Sequence, residues 1–216
     1  MPTLRIGSRP SPLAIKQVEE IESLLPSVRF EVIKIETRGD KDKASSLAGR
    51  EDSDFFTREI EEALLDGRID AAVHSAKDLE SVMPRGLCIA ATTRSISHFE
   101  CLVSKNGHTL EELPVGAVVG TSSRKRKEAM LRFRPDLIMK DIRGNIDDRL
   151  KQLDSGNFDA VIIAHAALIR LRLGERIAQI IPKETVEPHP LQGRLAIQIC
   201  KDREDLKKIF GSIDAR

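Results

Sequence analysis

Asp66-Gly67-Arg68-Ile69-Asp70-Ala71-Ala72-Val73 returns in the second half of the chain as Ser155-Gly156-Asn157-Phe158-Asp159-Ala160-Val161-Ile162. A second matched pair precedes each copy: Leu4-Arg5-Ile6-Gly7-Ser8-Arg9 and Ala117-Val118-Val119-Gly120-Thr121-Ser122-Ser123-Arg124. The order strand, Gly-Ser/Thr turn, helix, then a Gly-x-apolar-Asp-Ala strand is therefore used twice. Such a repeat points to two related domains. Apolar runs at residues 4–7, 30–35, 69–73, 87–92, 117–120, 137–142, 158–164 and 195–200 alternate with helix-period segments. That alternation is the mark of βαβ units, so the fold class is α/β with mostly parallel sheets. Ser11 before Pro12 reads as the N-cap and first residue of a helix whose Leu13, Ala14, Val18, Ile21 and Leu25 share a face. Residues 55–65 form a second such helix, with Gly67 placed to end it.

The chain has 216 residues, 40% of them hydrophobic and 32% charged, which suits two small packed domains. Trp and Tyr are absent and only seven Phe occur, so platforms for stacking bases or sugars are scarce and a nucleic-acid role is not expected. The net charge of +1 conceals an asymmetry. Residues 51–70 hold eight acids against two Arg, whereas residues 119–149 hold nine Lys or Arg against five acids. A local cationic surface on a nearly neutral chain suits a small anionic ligand better than a long polyanion. Cys88, Cys101 and Cys200 are widely spaced and form no CxxC, and the five histidines lack metal-ligand spacing, so neither a disulfide framework nor a metal site is expected. No apolar run reaches signal-peptide or membrane-span length, so the expected location is the cytoplasm, without membrane contact.

Ligands of open α/β sheets bind beyond the carboxyl ends of the strands, where helix N-termini favour anions. The turns at residues 7–11 and 120–126 each carry Ser and Arg at such a place and read as two anion cradles.

Further strings extend the pattern: Arg9-Pro10-Ser11-Pro12-Leu13-Ala14, Thr37-Arg38-Gly39-Asp40, Ala72-Val73-His74-Ser75-Ala76-Lys77-Asp78, Val119-Gly120-Thr121-Ser122-Ser123, Ile142-Arg143-Gly144-Asn145 and Leu191-Gln192-Gly193. In this order and spacing the chain resembles the porphobilinogen deaminase (hydroxymethylbilane synthase) family from Leu4 to about Cys200. The resemblance implies two similar periplasmic-binding-protein-like (type II) domains with mixed, mostly parallel sheets flanking a cleft, and no third α+β domain. One domain would comprise residues 1–93 and 193–216 and carry Asp78; the other would comprise residues 98–188. Hinge segments would lie at 93–99 and 187–192.

The implied activity is a transferase that condenses porphobilinogen into a linear tetrapyrrole with loss of ammonia, on a dipyrromethane cofactor. That chemistry needs a carboxylate to hydrogen-bond pyrrole N–H groups and stabilise developing positive charge, together with Arg and Ser donors for the acetate and propionate groups. Asp78 matches the family's catalytic aspartate. Arg9, Ser11, Lys77, Ser123, Lys125, Arg126, Arg143, Arg149 and Arg170 match positions that hold carboxylates, and Ser75 and Gln192 match cleft positions.

The match also has departures. The Gly-Gly-Cys loop of the family's third domain, whose thiol carries the dipyrromethane, is not found in this chain, so a separate cofactor-carrying polypeptide is one expectation. The family's lysine-rich loop reads Gly49-Arg50-Glu51-Asp52-Ser53-Asp54-Phe55-Phe56, with acids in place of lysines. Its paired arginines read Lys125-Arg126, and Lys lacks the bidentate grip of Arg. Its interdomain segment reads Arg94-Ser95-Ile96-Ser97-His98-Phe99-Glu100. Two readings therefore stand: an enzyme of this family, or a non-catalytic protein whose cleft holds porphobilinogen, a linear tetrapyrrole or another small polycarboxylate.

Overall fold

The computed structural model describes residues 3–41, 53–79 and 82–216. These fall into two compact units, and the chain passes between them after Ile96 and again after Gln192.

Unit 1 is built from β1 (Thr3–Ser8), α1 (Pro12–Leu24), β2 (Arg29–Lys34), the short helix α2 (Arg38–Lys41), α3 (Arg58–Leu65), β3 (Ala71–Ser75) and β4 (Leu87–Thr92), and the returning chain adds β10 (Leu195–Cys200) and α7 (Glu204–Gly211). Its sheet has the order β2-β1-β3-β10-β4. The β1–β2 and β1–β3 ladders are parallel and both ladders of β10 are antiparallel, so β10 alone is reversed. One face buries Ile6, Val73 and Ile197 against Val18 and Ile21 of α1 and Phe210 of α7. The other packs Ala72 and Leu87 against Ile60 and Leu64 of α3. The period-2 alternation of β3 and β10 feeds both layers.

Unit 2 comprises β5 (Glu100–Ser104), β6 (Val118–Gly120), α4 (Arg124–Phe133), β7 (Ile138–Lys140), α5 (Ile146–Asp154), β8 (Ala160–Ala164), α6 (His165–Leu171) and β9 (Gln179–Ile181). The order is β7-β6-β8-β5-β9, again with one reversed strand, β5. The units therefore share one plan, as the sequence repeat predicts.

The repeat is preserved down to individual hydrogen bonds. Gly67 (φ +67°) and Gly156 (φ +83°) end α3 and α5 in the left-handed conformation. Around them Arg68 N–H bonds Ala63 O, as Asn157 N–H bonds Gln152 O. This is one helix stop used twice, and glycine supplies the positive φ at little strain. Asp70 Oδ2 then accepts from Arg5 N at 2.8 Å, and Asp159 Oδ2 from Val118 N at 2.7 Å. The Asp of Gly-x-apolar-Asp-Ala thus fastens each incoming strand to its neighbour.

The structure departs from the sequence reading in a few elements. Residues 55–65 are a 3-10 turn (Ser53–Phe56) followed by α3, broken at Thr57. The strand expected at 69–73 lies at Ala71–Ser75, because Asp70 is spent on Arg5. Strands β5 and β9 are additional. In β5 only Cys101-Leu102-Val103 is apolar between two polar residues, and Glu100 enters the interior because Arg126 neutralises it there.

Candidate functional site

In unit 1 the parallel strands β1, β2 and β3 deliver their following loops to one edge of the sheet, where α/β sites are built. Arg9 leaves β1 and is gripped by Asp40, with Nε 3.1 Å and Nη2 2.5 Å from Oδ1. The guanidinium carbon also lies 4.3 Å from the centroid of the Phe56 ring. Asp40 accepts in addition from Thr37 N (3.1 Å) and Thr37 Oγ1 (2.8 Å). Burial pushes the Asp40 carboxyl up, but the hydrogen bonds and charge of Arg9, with those of Thr37, more than offset this and hold it below the usual range. No acceptor meets Nη1 of Arg9 among the described residues, so that edge remains to grip an anion.

Ser11 caps α1, its hydroxyl oxygen accepting Ala14 N–H at 3.3 Å, and Ser75 Oγ at the end of β3 accepts from Gln17 Nε2 at 2.8 Å. Each hydroxyl keeps its own proton for a further acceptor. The 3-10 turn Ala76–Asp78 follows at once, carrying half-buried Lys77 and exposed Asp78. No hydrogen bond or ion pair to the Asp78 carboxylate occurs among the described residues. Arg9, Ser11, Ser75 and Asp78 line one pocket with Gln17, Phe56, Thr57 and His74. Four of the residues read from the sequence are thus brought together within unit 1.

The pocket wall contains residues for which the sequence reading assigned no role. Gln17 orients Ser75, Asp40 and Phe56 orient Arg9, and His74 is a lining residue. The available signal was a polar side chain inside an apolar strand, His74 in β3 and its partner Gln198 in β10.

In unit 2 the structure uses several expected ligands internally. Ser123 caps α4 (Oγ to Arg126 N, 3.4 Å), and Lys125 pairs with Glu187 at 3.0 Å on the surface. Arg126 is engaged at both edges: Nε and Nη2 hold Glu100 at 2.9 and 2.6 Å, and Nη1 donates to Ile162 O at 3.3 Å. Arg143 lies in the loop after β7, its carbonyl accepting from Gln152 Nε2 at 3.0 Å, and Arg149 on α5 donates to Gly144 O at 3.0 Å. Arg149 on α5 therefore braces the loop that carries Arg143. Arg170 is in the last turn of α6. Gln192 is buried and donates to the carbonyls of His98 and Phe99, both at 3.1 Å.

Cys101 and Cys200 are ill suited to covalent chemistry. Burial, with the charge of Glu100, pushes Cys101 up to about 12, and Cys200 is raised and donates to Leu64 O at 3.2 Å. The acids at 51 and 52 lie outside the described residues. Among the described residues no group of three or more His, Cys, Asp or Glu is placed to hold a metal, and no helix is long and apolar enough to cross a membrane.

Two mixed five-stranded sheets of one order, with polar loops at their carboxyl edges, define a two-unit α/β fold of the periplasmic-binding-protein-like type II class. A putative methionine-binding lipoprotein from Bacillus subtilis has this fold, with a TM-score of 0.57 at 16% identity over 99% of this chain and 91% of that one. A family model described as porphobilinogen deaminase, dipyromethane cofactor binding domain, matches residues 4–208. The porphobilinogen deaminase of Syntrophomonas wolfei is 39% identical over 218 residues, covering 99% of this chain and 71% of that relative. That of Deinococcus radiodurans is 42% identical over 213 residues, covering 95% of this chain and 69% of the relative. The chain belongs to the porphobilinogen deaminase family. It is accordingly a transferase of the hydroxymethylbilane synthase type, in tetrapyrrole biosynthesis, with dipyrromethane as the family cofactor.

Proposed function

We propose that the unit 1 pocket binds porphobilinogen and that Asp78 is its catalytic carboxylate. The observation that carries this reading is the position of Asp78: exposed on the turn after β3, in one pocket with Arg9, Ser11 and Ser75, with no described residue on its carboxylate. A carboxylate that only held the fold would be paired, as Asp40 and Asp70 are.

When the aminomethyl carbon–nitrogen bond breaks, ammonia leaves with the bonding pair and positive charge spreads into the pyrrole ring. A carboxylate on the ring N–H stabilises that charge while the α-carbon of the next pyrrole attacks the exposed methylene. The proton lost from that α-carbon goes to solvent. Arg9 Nη1 and the hydroxyl protons of Ser11 and Ser75 grip the acetate and propionate groups, and Lys77 adds positive charge on the same turn. Unit 2 carries carboxylate donors of its own in Ser123, Lys125, Arg143, Arg149 and Arg170, with Gln192 fixing the backbone at residues 98–99. Arg126, saturated by Glu100 and Ile162 O, acts as a strut for the start of α4.

The donor set fits dipyrromethane, which carries the same carboxylates and pyrrole N–H groups as the substrate. When bound, it supplies the free α-position to which the first ring is joined. Its thioether would be made by a thiol other than Cys101 and Cys200, such as one on a separate polypeptide. The cytoplasm suits a chain whose three cysteines are free thiols.

Incubation with porphobilinogen tests the reading. Loss of the Ehrlich-reactive pyrrole that Asp78→Asn abolishes supports it. Binding by calorimetry without consumption, alone or with lysate, replaces it with a holding role, and a flat titration ends both.

A further inference from the structure

Behind the pocket of unit 1 a chain of buried polar side chains crosses from α3 to the sheet. Glu61 on α3, Gln198 on β10 and His74 on β3 are 8%, 0% and 6% exposed. Gln198 Nε2 donates to Glu61 Oε1 at 2.8 Å, and Gln198 Oε1 lies 3.1 Å from His74 Nε2. Ala72 and Ala196 stand opposite Gln198 and His74 in the β3–β10 ladder, which places the glutamine and the histidine diagonally on one face. The β10–β4 register shifts between Ile197 and Gln198, an irregularity of the kind that re-aims a side chain.

These contacts determine the tautomer. The amide nitrogen of Gln198 faces Glu61, so its oxygen faces the imidazole and can only accept; Nε2 of His74 must therefore carry the proton. Nδ1 is left with its lone pair, and no described residue other than Gln198 hydrogen-bonds the ring. His74 lines the same pocket as Asp78 and Ser75.

We propose that His74 Nδ1 is a ligand-binding acceptor of this pocket, which takes a hydrogen bond from an N–H of the pyrrole ligand, and that Gln198 and Glu61 are the positioning residues that keep its lone pair available. The inference rests on the reading of the pocket as a porphobilinogen site. A lone acceptor beside a carboxylate selects ligands with N–H groups over isosteric furans or thiophenes, because an acceptor left unpaired there weakens binding. The ring stays neutral as this role demands: burial, with the charge of Arg9, pushes it down to about 4 despite the Gln198 hydrogen bond. The charged group that acts on it is Arg9 after β1; Glu61 on α3 meets it only through Gln198, and Asp78 on the turn after β3 lines the same pocket.

Nitrogen-15 NMR of the full chain, titrated with porphobilinogen, is the direct test. The expected result is a His74 ring protonated at Nε2, with its Nδ1 resonance moving upfield as ligand binds. In Gln198→Glu the new carboxylate favours the imidazolium, so affinity for porphobilinogen measured by calorimetry falls about tenfold from pH 8 to pH 6 while the unaltered protein stays flat. A purely structural relay would shift thermal stability and leave that pH profile unchanged. If Gln198→Glu does not fold, the NMR result on the unaltered protein stands alone. Binding with an Nδ1–H tautomer, or with a His74 resonance that does not move, overturns the inference and leaves the functional reading intact. Absence of porphobilinogen binding by the unaltered protein overturns both.

Discussion

Asp78 in the pocket and Asp40, which holds the pocket residue Arg9, show how two carboxylates divide their tasks. Asp78 has no described residue on its carboxylate, so Asp78→Asn should leave the thermal midpoint within about 1 °C while lowering porphobilinogen consumption about 10²- to 10³-fold, measured by Ehrlich assay alongside calorimetric melting. Asp40 is the opposite case, since Arg9 and Thr37 saturate it. Asp40→Asn should release Arg9 and weaken porphobilinogen binding about tenfold by calorimetry, because Asn cannot return the two-point grip. Neither difference was visible from residue type alone. The sequence motif identified Asp78 and Arg9 as a pair of candidates, but the anchoring of Arg9, one guanidinium edge on Asp40 and its face on the Phe56 ring, depends on residues more than thirty positions away.

At the level of helices and turns, the loop that carries Arg143 is held by Gly144 and the cap that follows it. Gly144 has φ +96°, and a Cβ there would lie 2.5 Å from Cβ of Asp148. Asn145 accepts from Asp148 N at 2.8 Å while Asp148 returns a bond to Asn145 N at 3.3 Å, a complete capping box for α5. Gly144→Ala should therefore destabilise the protein by about 2 kcal/mol and Asn145→Ala by about 1 kcal/mol, read from urea midpoints. The strut at α4 is a stronger case. Arg126→Ala would strand Glu100, whose side chain is 5% exposed, and should lower stability by about 3–5 kcal/mol, whereas the double variant with Glu100→Gln recovers part of the loss. The helix starts at Ser11 and Ser123 were legible in the sequence, because an N-cap is a local device. Strand β5 was not, because a strand beginning with Glu becomes tolerable only after Arg126 arrives from another element.

For the molecule as a whole, the buried His74 sets how stability depends on pH. Its folded value of about 4 lies below the ordinary 6.5, so below pH 6.5 the unfolded chain takes up a proton that the folded chain refuses. Stability contributed by the neutral ring is complete above that range and is lost as pH falls from 6.5 toward 4. Denaturant unfolding should show a loss of about 2 kcal/mol from pH 7 to pH 5, which His74→Gln removes. Asp40 and Asp70, whose carboxyls are held low by Arg9 and Arg5, add a further loss only under more acidic conditions.

The twofold α/β plan, the Gly-x-apolar-Asp-Ala joint and the family were all present in the order of residues. Each rests on local interactions, such as helix stops at Gly67 and Gly156, or on short strings that survive as strings. The string from Ala72 to Asp78 was readable for the same reason, and its last three residues form the short turn Ala76–Asp78. The engagement of Arg126 by Glu100, the anchoring of Arg9 by Asp40 and the His74–Gln198–Glu61 chain belong to folding alone. They join residues 26, 31, 124 and 137 positions apart, and their strength comes from burial, which a linear sequence does not display.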